Sequence, residues 1–124
     1  QVSRRDAVKQ TMKERLLPLG IKNPVKTELP ALIALEAIGQ PWFNEGHLAD
    51  LTALALVTQI LAPAGSDAYD VAGDLLAQLS AAALDIDEIR PRVIGISLWL
   101  QRQPNGRVDA AIRRLLKQEC GIDA

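Results

Sequence analysis

Between His47 and Leu61 the chain reads HLADLTALALVTQIL. Wound as a helix at about 100° per residue, its Leu48, Leu51, Leu54, Leu56, Val57, Ile60 and Leu61 point to nearly every side rather than along one stripe. A helix that is apolar all round has to be enclosed by other elements. The run is too short for a membrane span, which takes about 20 apolar residues, and Asp50, Thr52, Thr58 and Gln59 interrupt it. The chain is therefore expected to be all-α: one domain over residues 1–124, a bundle of five to six helices around a central hydrophobic helix at about 47–62.

A chain of 124 residues can bury a core without metal or disulfide staples. Aromatic residues make up only 3% against 48% hydrophobic overall, so Leu, Ile, Val and Ala must fill that core, as in helical bundles. Cys120 is the single cysteine, which allows no internal disulfide and suits the reducing cytoplasm. No stretch has the charged start, apolar middle and small-residue cleavage site of a signal peptide. A sequence starting at Gln1 rather than Met is expected to have been trimmed at its N-terminus.

The net charge of −1 conceals a strong segregation. Residues 1–26 carry Arg4, Arg5, Lys9, Lys13, Arg15, Lys22 and Lys26 against Asp6 and Glu14. Residues 27–89 contain ten acids and no Lys or Arg. From Arg90 onward seven basic residues face Asp109, Glu119 and Asp123. Such a distribution bears on association and on attraction to charged partners, not on fold.

The helices can be placed along the chain. Ser3 with Asp6 resembles a capping box for a basic surface helix that buries Val8, Met12 and Leu16 and stops near Leu17, before Pro18. After a loop around Asn23-Pro24, Thr27 is expected to cap a short helix whose Ala31, Leu32, Ile33, Leu35, Ala37 and Ile38 are buried, up to a stop at Gly39. Asn44 should cap the central helix, and Pro63-Ala64-Gly65 should end it. From Ser66 the next helix separates Tyr69, Ala72, Leu76, Leu79 and Ala83 from Asp67, Asp70, Asp74 and Gln78. Asp85 and Glu88 form a second candidate capping box, opening a helix that contains Pro91, with Val93, Ile96, Trp99 and Leu100 on one face and Ile94 and Leu98 on another flank. A turn at Gln103-Pro104-Asn105-Gly106 precedes a last helix from Arg107 to about Glu119, with Val108, Ala111, Ile112 and Leu115 inward and an end at Gly121.

Catalytic signatures are missing: there is no glycine-rich phosphate loop, HExxH, CxxC pair or GxSxG. His47 is the single histidine, with Glu45 and Asp50 in reach to orient it, but its place in the first turn of a core helix suits a structural role bonded to loop backbone. Three aspartates on one straight helix do not wrap an ion as a calcium loop does. Cys120 has Lys117 one turn back but no second cysteine or base beside it. No catalytic residue, cofactor or metal is expected.

Two binding readings stand instead. Trp42 and Phe43, two of the four aromatic residues, occupy the bend before the central helix, as a plug that seats it or as an anchor for a partner. With the self-complementary charge pattern, they favour a small helical regulatory module that binds another protein or forms a homodimer. The alternative is a DNA-binding regulator using a helix-turn-helix-like pair at about 90–119, with Arg107, Arg113, Arg114 and Lys117, joined by Arg4 and Arg5, meeting nucleic acid. Against it, Asp109 sits in the first turn of the reading helix and the sequence pI is about 5.8.

Overall fold

The computed structural model describes residues 6–14 and 27–121, all of their regular structure helical. Helix α1 covers residues 6–14. It is followed by α2 (Glu28–Ala37), α3 (Glu45–Leu61), α4 (Asp67–Leu79), α5 (Ile86–Gln101) and α6 (Asn105–Cys120). The expected all-α bundle with a hydrophobic helix at its centre is what forms. None of the described helices is long and apolar enough to cross a membrane.

Helix α3 is the hub, packing against α2, α4, α5 and α6. From Leu48 to Thr58 every residue is buried except Thr52 and Leu56, which are half-buried one turn apart. Leu51, Leu54 and Val57 contact no solvent. Ala31 and Ala34 of α2, with Ala49, Ala53 and Ala55 of α3, are equally enclosed, and such small side chains let helix axes approach closely. The polar groups that this burial engulfs are satisfied locally where the helix permits it: Thr58 Oγ1 donates to the Leu54 carbonyl at 2.7 Å, and Thr52 Oγ1 to that of Leu48 at 2.8 Å.

The start of α3 is built as the sequence leads one to expect, with a variation. Asn44 Oδ1 accepts the N–H groups of Gly46 (2.8 Å) and His47 (3.3 Å), while the Asn44 N–H donates to His47 Nδ1 at 3.1 Å. This is a reciprocal capping box with histidine in the place usually held by Glu or Gln, a device that contributes about 1 kcal/mol. Helix α3 accordingly begins at Glu45, two residues before His47. Ser66 caps α4 by accepting the Tyr69 N–H at 3.3 Å. Gly39, just beyond α2, and Gly121, just beyond α6, take φ of 83° and 69°, the left-handed turn at which a helix stops and that L side chains disfavour.

Several local expectations fail for identifiable reasons. Thr27 stands before α2 but does not cap it: its φ of −65° and ψ of −16° are already helical, and its hydroxyl makes no cap bond. Asp85 caps α5 through the Asp87 N–H at 3.0 Å, and the box with Glu88 does not form, because Glu88 turns instead to Arg92 at 3.2 Å. Helix α4 stops at Leu79, where Ser80 Oγ donates to the Leu76 carbonyl at 3.0 Å, so Ala83 lies beyond it and is exposed, and Leu75 joins the buried face. Helix α6 starts at Asn105 rather than Arg107. Asn105 and Gly106 occupy its first turn, where N–H groups need no helical partner, and the Pro104 carbonyl already accepts from Val108 at 3.2 Å. Ile33, expected inside, is on the surface. Ser3, Leu16, Leu17 and the Asn23-Pro24 turn lie outside the described residues.

Candidate functional site

Helix α2 packs against both α3 and α5, with Ala31, Ala34 and Leu35 buried. Glu36, in the last turn of α2, accepts a 2.8 Å hydrogen bond from Arg90 Nη1, in the second turn of α5. The two helices therefore run in opposite senses. At about 1.5 Å per residue, Ile33 and Leu29 step back along α2 while Ile94 and Leu98 step forward along α5, so that the two pairs reach matching heights. All four are exposed: Leu29 by 56%, Ile33 by 64%, Ile94 by 40% and Leu98 by 53%. Among the described residues, the remaining large hydrophobic residue in that exposed class is Trp42, at 63%. Two adjacent helices thus each expose a pair of aliphatic residues beyond the Glu36–Arg90 ion pair, an aliphatic stripe of two matched pairs.

Trp42 and Phe43 part company. Phe43 is half-buried and stacks on the His47 ring, centroids 5.5 Å apart, closing the bend over the start of α3. Trp42 is exposed, so only one of the two aromatic residues serves as the plug. His47 is held by Asn44 and Phe43, not by Glu45 or Asp50.

The basic residues of α6 fall on one side. Arg107, Arg113, Arg114 and Lys117 are exposed, opposite the buried Val108, Ala111, Ile112, Leu115 and Leu116. However, α6 packs on α3 instead of lying along α5, so the pair lacks the mutual packing of a helix-turn-helix unit. Arg4, Arg5 and the Cys120 side chain lie outside what is described.

Clefts open between the helices of the described residues. One, of about 520 Å³, runs between α1, α3, α4 and the end of α6, lined by Val8, Met12, Thr52, Leu56 and Leu76, with Lys9 and Glu119 also on its wall. Thr52 and Leu56, the two gaps in the enclosure of α3, face it, and it brings the first and last helices together. Another, of about 430 Å³, lies between α4 and α5, where Gly95 leaves room beside Trp99, Asp74 and Arg92. Among the described residues no group of three or more His, Cys, Asp or Glu side chains is placed to hold a metal ion.

The aliphatic stripe is the feature that sequence reasoning did not single out. Its one signal was an excess: Leu29 with Ile33, and Ile94 with Leu98, stand at four-residue spacing outside the faces that the two helices need for the core. Comparison of the chain with protein-family models, with curated proteins and with solved structures finds no match.

Proposed function

We propose that this protein is a small helical module that acts by binding protein, a second copy of itself included, in the reducing cytoplasm that suits its single cysteine. One observation carries this reading: among the described residues, four of the five exposed large hydrophobic side chains stand on two neighbouring helices, in pairs beyond the Glu36–Arg90 contact that joins them. Scattered surface apolar residues are ordinary, but contiguous ones rimmed by polar groups mark contact surfaces. Trp42 supplies a separate exposed aromatic of the kind that anchors interfaces.

The test is site-specific photo-crosslinking in a cell extract, with a crosslinking amino acid at position 94 and a control at exposed position 74. The expected result is a discrete protein adduct from position 94, absent from position 74 and lost when Leu98→Asp is added. Irradiation that yields no protein adduct from position 94 overturns the reading. The exposed basic face of α6 supports nucleic-acid binding as a second reading. Filter binding at low salt decides it: retention of nucleic acid that survives Arg113→Glu with Arg114→Glu removes α6 as its basis.

A further inference from the structure

We infer that the α2/α5 face pairs with the same face of a second copy about a two-fold axis that runs parallel to the helices. This rests on the protein-binding reading and names the partner.

The order of groups along the face selects that partner and that axis. Each helix carries a charge at one end of the stripe and two aliphatic residues beyond it: Glu36, Ile33 and Leu29 on α2; Arg90, Ile94 and Leu98 on α5. Rotation about an axis lying over the stripe and parallel to it keeps heights unchanged and exchanges the two helices. Every α2 then faces the partner's α5. Glu36 meets the partner's Arg90, Ile33 meets the partner's Ile94, and Leu29 meets the partner's Leu98.

Because α2 and α5 run oppositely within one molecule, every neighbour across the interface is also antiparallel, and the four helices make an up-down-up-down bundle. A two-fold axis set across the helices would instead press the charged end onto the Leu29/Leu98 end, removing water from the ions without opposite charges to replace it. The face is thus complementary to itself in charge and in shape order at once, as an isologous contact requires.

Four aliphatic side chains, each about half exposed, offer a few hundred Å² per molecule, roughly half of the about 800 Å² per partner in a standard interface. The dimer is accordingly a reversible one that responds to concentration.

Charge reversal tests it by a route that folding effects cannot imitate. Glu36→Arg and Arg90→Glu each place like charges within one molecule and across the interface, so each alone should dimerise at least about tenfold more weakly than the wild type in sedimentation equilibrium. Mixed in equal amounts, the two variants restore opposite charges between molecules while each keeps like charges within itself, so the mixture should regain the wild-type association as a heterodimer. Circular dichroism checks that each variant is folded, and Leu98→Asp should be monomeric.

A wild-type protein that stays monomeric from micromolar to submillimolar concentration overturns the inference, as does a mixture that associates no better than its components. Crosslinking to a different protein at position 94, with a monomeric wild type, removes the self-pairing and leaves the binding function standing. Absence of any adduct, with a monomeric wild type, removes both.

Discussion

Single side chains in this molecule divide by whether the helix around them can supply a partner. Thr52 and Thr58 reach back to carbonyls one turn earlier and are satisfied although half-buried and buried respectively. Among the described residues, Ser97, on the buried face of α5, has no hydrogen-bond partner, and neither has the buried hydroxyl of Thr27. An enclosed hydroxyl without a partner costs about 1–3 kcal/mol. Ser97→Ala removes that cost while keeping the helix, so urea denaturation should show a gain of about 1 kcal/mol. A loss of stability would mean that the hydroxyl has found a partner in solution. The same distinction separates Trp42 from Phe43, adjacent residues of similar chemistry. The sequence offered both as plug and as anchor. His47, spaced four residues beyond Phe43 and drawn in by Asn44, takes one of them and leaves the other free.

Elements were legible to the degree that their composition was asymmetric. Helix α6 separates basic from aliphatic residues cleanly, and its inward residues were read correctly. Helix α3, apolar on every side, could only be a centre. Helix α2 is the hard case: ELPALIALEA is apolar nearly all round as well, and nothing in those ten residues says that Ala31, Ala34 and Leu35 go inward while Leu29 and Ile33 do not. That choice depends on packing against α3 and α5, elements remote in sequence: the Glu36–Arg90 contact between α2 and α5 joins residues 54 positions apart. The cap at Asn44 and the helix start at Ser66 were readable because they are local, whereas the box expected of Asp85 and Glu88 failed, Glu88 pairing with Arg92, although Asp85 still caps α5. Helix α5 also carries Gly95 in its interior, exposed and with no atom within 4 Å of where a Cβ would stand. Gly95→Ala should raise stability by about 0.5–1 kcal/mol in chemical denaturation, since alanine loses less backbone entropy in a helix. A decrease would show that the cleft beside Trp99 needs the space.

For the whole molecule, the position of α3 against four other helices ties its opening to that of the core. Native-state hydrogen exchange should find the slowest amides between Leu51 and Val57, with protection equal to the global unfolding free energy. Slower exchange in α4 or α6 than in α3 would displace α3 from its role. The charge segregation has a further effect at this scale. Lysines occur only at positions 9, 13, 22, 26 and 117, and neither Lys nor Arg falls between Lys26 and Arg90. Helices α2, α3 and α4 are consequently invisible to trypsin even when unfolded, and leave it as one long fragment. Acetylation, ubiquitin attachment or amine-directed surface coupling at lysine side chains has to land before Thr27 or on the outer side of α6. A molecule tagged or tethered in that way keeps both walls of its aliphatic stripe chemically untouched.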